Sequence, residues 1–427
     1  MAEELHLLTF LGAGKYYETT YQWQGKRVTA RYAPVATIQF LRPTRITVFL
    51  TQEARAQVFP EFQAALSPHL GPDVALQLRD IPLGRNEPEV WDLFDIVVEA
   101  ILESGLPFAF DVTHGLRSFP YVALLATAYV QAGFGIPVRA VLYGAFEVRD
   151  QSVTPNVAPV FDLSPLLTLL EWAVAADRFN RTGDARYLAS LLRQVQKRLA
   201  QRYQKAQKDI ERLVRPIGLL RETLTNISQA LAVIRPHEVR HWAARIPHNI
   251  QEARPGLTEA LAARPFLRLL DAIARSYQPL ALPDEAAQNL YRRLLSERAL
   301  LQWYIEHEHW AQAITLGREW LLSWVMYHLG IQQIDDEEER KTVEDVLNSE
   351  AERWLKAKKQ KKPFRSRFLH GIPQLNEVLS LWKALIETRN DINHAGMRKE
   401  PGKAADLVDA VQKHIQRILD LVMEEPE

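Results

Sequence analysis

The chain has 427 residues, with 52 Lys and Arg against 52 Asp and Glu, and no cysteine. That length suggests two or three domains with separate cores. The zero net charge excludes a whole-protein field that would draw it to nucleic acid or membrane. The absence of thiols excludes a disulfide framework, thiol catalysis and cysteine-containing metal sites.

The N-terminus, Met1 to His6, carries two acids and no basic region, so a secretory signal is not expected. No apolar run reaches the roughly 18 to 20 residues of a membrane span. The longest, residues 119–130, reads as a buried helix. A soluble cytoplasmic protein is the expectation. Residues 5–11 form an apolar run of strand length that ends in Gly12-Ala13-Gly14-Lys15. Residues 19–32 alternate around Gln24-Gly25, which predicts a hairpin. Strands follow at 45–50, 74–81, 107–112 and 138–143. Between them, Thr51-Gln52-Glu53-Ala54 opens a helix, and helical periodicity runs over 89–103 and 118–131. Strands alternating with helices predict a mostly parallel, doubly wound sheet.

After Asp162 the pattern changes. Ser164-Pro165 starts a helix, and the remainder is helical by period, at 166–180, 184–213, 216–233, 284–305, 309–329, 340–358, 373–393 and 403–424. Prolines 236, 247, 255, 265, 279 and 283 punctuate the middle. An acidic run at 335–339 precedes a basic one: Lys356, Lys358, Lys359, Lys361, Lys362, Arg365 and Arg367. That run reads either as a solvated face or as a local attraction for RNA.

In an open parallel sheet, ligands bind beyond the carboxyl ends of the strands. Gly12-Ala13-Gly14-Lys15 sits there but is not a P-loop. Thr9 stands where the first glycine belongs, and Tyr16 stands where Ser or Thr should follow the lysine. Its glycines still let backbone N–H groups approach a phosphate, and Lys15 supplies charge. The segment from Asp111 to Pro120 packs Thr113, His114, Gly115, Arg117 and Ser118 between a strand and a helix. Such a set suits a phosphate or a base edge. The plainer alternative is a polar connection with Ser118 capping the helix.

Residues 9–16, 111–120 and Tyr143-Gly144-Ala145-Phe146-Glu147 together resemble the CRISPR-associated CARF family of type III systems, Rossmann-like sensors of cyclic oligoadenylates. The resemblance spans roughly residues 1–150. It implies a homodimer whose glycine loop and Thr-His-Gly-Leu-Arg-Ser loop line a pocket at the two-fold axis, where the ring-shaped RNA messenger binds. Carried over, the contacts are Gly12, Gly14, Lys15, Thr113, His114, Gly115, Arg117 and Ser118, with Thr51 as a further candidate.

Such sensors carry an effector. Arg389-Asn390-Asp391-Ile392-Asn393-His394 resembles the RxxxxH signature of HEPN ribonucleases. With 12 histidines and 37 arginines in the chain, about one such hexad is expected by chance. A second one, Arg365 to His370, is present. The first is favoured because Asn390, Asp391 and Asn393 are polar and because it ends an amphipathic helix. Metal-independent RNA cleavage needs a group to move protons and a cation for the charge on the phosphorane. His394 fits the first role and Arg389 the second. Asn390, four residues before His394, is placed to orient its ring, and Asn393 completes the catalytic set.

His237-Glu238-Val239-Arg240-His241 matches the HExxH of zinc peptidases, but no third ligand follows at the right spacing. Pro236 and Pro247 bracket its helix, and Arg240 would place a cation beside the metal. The tryptophans at 303, 310, 320, 324, 354 and 382 read as packing. Arg318-Glu319 reads as a structural pair. The expectation is therefore an α/β Rossmann-like sensor domain at 1–163, a helical connector at 164–295 and a HEPN helical domain at 296–427. It would act as a cyclic-oligoadenylate-activated endoribonuclease on single-stranded RNA, with no cofactor, no resident metal and no membrane partner. The alternatives are a non-enzymatic sensor driving a helical partner- or DNA-binding module and, remotely, the zinc peptidase.

Overall fold

A computed structural model of the chain describes residues 4–397 and 399–424, except the side chain of Ala262. The N-terminal segment read for a secretory signal lies partly outside these residues. The chain divides after Glu171 into two compact units.

In the first unit β1 (His6–Leu11) is buried at every position. That is what a central parallel strand covered on both faces requires. Leu8 and Phe10 point into one apolar cluster with α4 (Glu87–Ser104) and α5 (Phe119–Phe134). Leu7 and Leu11 point into another with α1 (Ala33–Leu41), α2 (Gln52–Gln57) and α3 (Phe59–Leu66). Around β1 the sheet adds β2 (Thr19–Trp23), β3 (Lys26–Ala30), β4 (Arg45–Leu50), β5 (Ala75–Asp80), β6 (Phe108–Asp111), β7 (Val138–Gly144) and β8 (Val157–Asp162). Their order is β3-β2-β8-β7-β6-β1-β4-β5. The β5-β4-β1-β6-β7 run is parallel; β7–β8 and the β2–β3 hairpin are antiparallel. The expected doubly wound, mostly parallel sheet is present. Its order reverses at β1, whose neighbours are β4 and β6, so the crevice for a ligand opens between the ends of β1 and β6.

Two elements escape sequence periodicity. In α1, seven of nine residues are buried, which removes any polar face. Pro159 interrupts the strand signal of β8, which is nevertheless paired on both sides. The 119–130 helix is not the buried helix expected. Phe119, Val122, Ala126 and Val130 are buried, but Tyr121, Leu125, Tyr129 and Phe134 are more than half exposed. Both faces are apolar, so the sequence does not distinguish the face that meets the sheet.

The second unit is helical: α6 (Leu167–Thr182, which spans the division), α7 (Arg186–Arg202), the single turn α8 (Gln207–Asp209), α9 (Arg215–Ala232), α10 (Pro236–Glu259), α11 (Arg264–Tyr277), α12 (Leu290–Glu306), α13 (Trp310–His328), α14 (Glu337–Lys359), α15 (Leu375–Asn393) and α16 (Ala404–Leu419). One hydrophobic cluster runs from Trp172 to Leu421. The expected connector–effector boundary at 295/296 falls inside α12. The expected 184–213 helix is broken after Arg202 and resumes through a π-helical stretch at Ile210–Val214. The brackets at Pro236 and Pro247 are corrected too, because α10 continues through Pro247 and Pro255 to Glu259. Tertiary packing outweighs the loss of two backbone donors here: Val239, Ala243, Ile246, Ile250, Ala253 and Leu257 are all buried. No helix among the described residues is long and apolar enough to cross a membrane.

Candidate functional site

The crevice at the ends of β1 and β6 is built on Asp111, which is fully buried at the end of β6. Its Oδ2 accepts from Thr37 Oγ1 of α1 at 2.6 Å, and its Oδ1 accepts from Thr113 N at 3.0 Å. Burial raises the Asp111 pKa, and the hydrogen bonds from Thr113 and Thr37 oppose that shift. Thr113 Oγ1 accepts from Gly144 N at 2.9 Å, which ties the end of β7 to the loop. Gly144 is required by packing, since a Cβ there would lie 2.9 Å from the Tyr21 ring. Gly12 sits close under the same loop: its Cβ would meet the His114 carbonyl at 3.2 Å. Gly14 has open space around it, and Lys15 beside it is exposed.

His114 is part of this framework. Its Nε2 accepts from Ala33 N at 2.9 Å, which makes the ring neutral with its proton on Nδ1. The Tyr16 ring meets it edge-on at 4.7 Å. Burial pushes its pKa down to about 3. Tyr16 in turn donates to Gly12 O at 2.5 Å. These groups wall a cavity of about 190 Å³ lined by Lys15, Tyr17, Arg31, Thr113, His114 and Phe146, among others. Tyr17 and Phe146 lie parallel with ring centroids 6.0 Å apart, and the Arg149 guanidinium covers Phe146 at 3.9 Å. Tyr143 donates to Glu147 at 2.7 Å, and burial and that carboxylate push its pKa up to about 12. Arg31, paired with Glu61 at 2.9 Å, and Tyr17 were not legible as site residues. The hairpin and α1 bring them to the cavity, and nothing local in the sequence marks that contact.

Of the other expected contacts, Gly115 packs under Phe119, whose Cβ would lie 3.0 Å from a Cβ at that position. Arg117 and Ser118 are exposed, and neither side chain has a hydrogen-bonding partner among the described residues. Ser118 precedes α5 without capping it through its side chain. Thr51 is placed apart from this cavity. It caps α2 by accepting from Ala54 N at 3.2 Å and borders a separate concavity with Gln52, Leu83 and Arg85.

The second candidate site is the end of α15. Leu381, Trp382 and Leu385 are fully buried, which fixes the helix against its neighbours. Arg389, half-buried, donates through Nη1 to Asn390 Oδ1 at 3.3 Å, and its Nε is buried with no acceptor among the described residues. Asn390 therefore serves Arg389 and does not orient the His394 ring as expected. The helix stops at Asn393, and His394 meets Asn390 only through its backbone N–H, at 3.0 Å. The His394 side chain is exposed and makes no hydrogen bond among the described residues. Asn393 Nδ2 donates to Thr315 of α13 at 3.3 Å. Asp391, which the sequence reading left without a role, is buried and accepts from Gly402 N at 3.0 Å through Oδ2. It holds the segment after the hexad, where Ala395 and Gly396 have positive φ.

The rival groups resolve differently. In the HExxH segment His241 Nδ1 is bonded to Asp284 at 2.9 Å, while the exposed His237 lies 3.7 Å from Glu238. Among the described residues no group of three ligands converges on a metal position. Arg318 pairs with Glu319 at 2.5 Å and with Glu344 of α14, and lies over the Trp382 ring at 5.0 Å. In the second hexad His370 Nε2 is bonded to the Arg367 carbonyl at 2.9 Å.

Residues 168–279 match the family described as the second domain of CRISPR-associated protein MJ1674. Over 133 residues the chain is 27% identical to CRISPR-associated protein MJ1674 of Methanocaldococcus jannaschii. That stretch is 31% of this chain, and the chain spans about a fifth of the length of that relative (20%). Both similarities are to CRISPR-associated proteins. The family match lies on α6 to α11, the stretch in which the HExxH segment was the one chemical motif the sequence offered.

Proposed function

We propose that the chain is a cyclic-oligoadenylate-activated ribonuclease of CRISPR type III defence. The first unit senses the ring in the crevice at β1 and β6, and the end of α15 cuts single-stranded RNA. One observation carries the nuclease reading: Arg389 holds a buried Nε–H without an acceptor, five residues before an exposed histidine with an unengaged ring. Buried polar groups in folded proteins are almost always satisfied. A guanidinium with a donor to spare and an imidazole with no partner are the two groups that phosphate handling requires.

In this reading the 2′-hydroxyl attacks the adjacent phosphorus while the P–O5′ bond breaks. The products are a 2′,3′-cyclic phosphate and a 5′-hydroxyl. His394 moves the proton at one of those two oxygens, and Arg389 neutralises the phosphorane. One Arg–His pair is a sparse catalytic set, so the working unit is a homodimer that brings two pairs together. The exposed apolar face of α5, with Tyr121, Leu125, Tyr129 and Phe134, supports self-association. Lys15 of the crevice lining and Arg117 of the loop after β6 are exposed cations without a partner among the described residues. The open Gly14 and the parallel Tyr17–Phe146 pair suit phosphates and adenine rings. The likeness of residues 168–279 to a CRISPR-associated protein supports the setting.

The test is cleavage of a fluorogenic single-stranded RNA in excess EDTA with each cyclic adenylate ring in turn. Wild type should cut only with one ring present, and His394→Ala should not cut. Ring binding without cleavage would leave a sensor that drives a partner- or DNA-binding module.

A further inference from the structure

Between Lys356 and Arg367 the chain carries seven cations and no acid, so the remaining 45 basic residues face 52 acidic ones. All seven are exposed. Among the described residues none is in a salt bridge, though Lys358 lies over the Trp354 ring at 4.8 Å. Lys356, Lys358 and Lys359 occupy the last turn of α14, where they complement the helix dipole. That explanation does not reach Lys361, Lys362, Arg365 and Arg367, which lie beyond the helix.

These four stand on a fixed loop. The buried Glu350 accepts from Arg367 N at 3.0 Å and pairs with Arg353. Ser366 Oγ accepts from Leu369 N at 2.8 Å and from Phe368 N at 3.2 Å. Leu369 and Ile372 anchor the loop in the helical core. Phe368, next to the anchor Leu369, has 62% of its surface exposed. Its ring is therefore available on a braced loop, preceded in sequence by Arg365 and Arg367. Beside the loop lies a shallow concavity of about 770 Å³ with a mixed lining: Arg365, His370 and Asn376 are polar, Glu377 is acidic, and Phe364 and Leu375 are apolar.

We propose that this loop is the surface that holds the single-stranded RNA. The four cations beyond α14 contact phosphates, and Phe368 stacks on an unpaired base. A duplex offers no unstacked base to that ring, which favours a single strand. The identity of the strand rests on the ribonuclease reading above. The loop adjoins the start of α15, and at 1.5 Å per residue His394 lies about 28 Å further along that helix. The surface is thus an anchor for long substrates, separate from the cutting end.

The test measures RNA affinity by fluorescence polarisation on the full chain carrying His394→Ala, so that the strand survives. A 20-nucleotide and a 6-nucleotide RNA are compared across salt concentrations. Adding K361Q, K362Q, R365Q and R367Q should lower the slope of log affinity against log salt for the long RNA by about 3. Phe368→Ala should weaken binding on the order of 10-fold, and Phe368→Tyr should restore it. Thermal melting should be unchanged in all of these, because every substituted side chain is exposed.

Long-RNA affinity within twofold of the parent in the charge variant would overturn the proposal. So would a parent that does not bind RNA, or equal competition by duplex DNA or poly-glutamate. The two readings separate cleanly. Cleavage that survives with no loop-dependent binding sinks the loop and spares the nuclease. Loop-dependent binding by a wild type that cuts nothing sinks the nuclease and leaves an RNA-binding surface.

Discussion

The loop at the end of β6 and the end of α15 are both short polar segments that carry a histidine, yet they are built in opposite ways. In the first, Asp111, Thr113 and His114 are committed to the fold, while Arg117 and Ser118 are left exposed. Asp111 binds Thr37 and Thr113, Thr113 binds Gly144, and His114 accepts from Ala33. In the second, His394 touches nothing through its ring and Arg389 has a donor to spare. The contrast fits the two roles proposed above, a rigid binding crevice in the first unit and a reacting end on α15. Histidine in the first is a strut, and in the second its ring is left without a partner.

The sharpest way to break this comparison is to remove each histidine. His394→Ala should lower ring-activated RNA cleavage by about 10² to 10⁴-fold, with a melting temperature unchanged. Arg389→Ala should do the same to cleavage. His114→Ala should act the other way round. It leaves the Ala33 N–H and the Tyr16 ring without their partner and should destabilise the first unit by about 1–3 kcal/mol, read in a denaturant titration that follows that unit. Equal stability losses for the two alanine variants would end the distinction.

Acid should expose the same contrast. His6 is buried between Ser104 and Thr47, bonded to both, and burial, helped by Arg45, lowers its pKa to about 4. His114 is lowered to about 3. Above the ordinary value of 6.5 both rings are neutral folded or unfolded, and their burial carries no ionisation cost. As pH falls from 6.5 toward 4 only the unfolded chain takes up the protons, so stability is lost through that window. For His6 alone the loss is on the order of 3 kcal/mol, levelling off below pH 4. Asp111, whose pKa is raised by burial, has the opposite slope. His6→Gln should therefore flatten the acid limb of stability against pH for the first unit. An unchanged limb would show that the ring is not held neutral.

A smaller effect is expected at Gly144. Its alanine variant would press a methyl group against the Tyr21 ring and should cost about 1–3 kcal/mol. Ring affinity should fall with it, since Thr113 is bonded to Gly144 N. A variant as stable as wild type would mean that Tyr21 moves freely.

Much of the first unit was legible because strand runs and helical periods alternate there, and the strand ends place Gly12 and Thr113 at one crevice without knowledge of any contact. What stayed hidden is long-range. The hairpin and α1 carry Tyr17, Arg31 and Thr37 to that crevice, and no local pattern announces it. The exposed face of α5 was hidden for a different reason: Tyr121 and Leu125 are as apolar as the buried residues beside them. In the second unit the periods located most of the helices but not α11, and Pro247 misled, because burial of one helical face offsets two lost backbone bonds. The hexad was visible as spacing. The pairing of Asn390 with Arg389, the Asp391 brace and the Thr315 contact were not, since they depend on where the helix ends and which helix lies beside it.

The smallest expected effect tests the choice between the two hexads. By spacing alone, Arg365 to His370 is as good a match as Arg389 to His394. The structure separates them by what the histidines are doing. The His370 ring is bonded to the carbonyl of Arg367 within its own loop, so one of its nitrogens is spent on a turn. His370→Ala should therefore leave the rate constant for cleavage of a 6-nucleotide RNA within about twofold of wild type, a barrier change of well under 1 kcal/mol. Loss of one exposed hydrogen bond should cost stability by no more than about 1 kcal/mol. If His370→Ala instead abolished cutting while His394→Ala cut normally, the catalytic end would lie at the start of α15. The free ring at its other end would then be no more than an exposed helix cap.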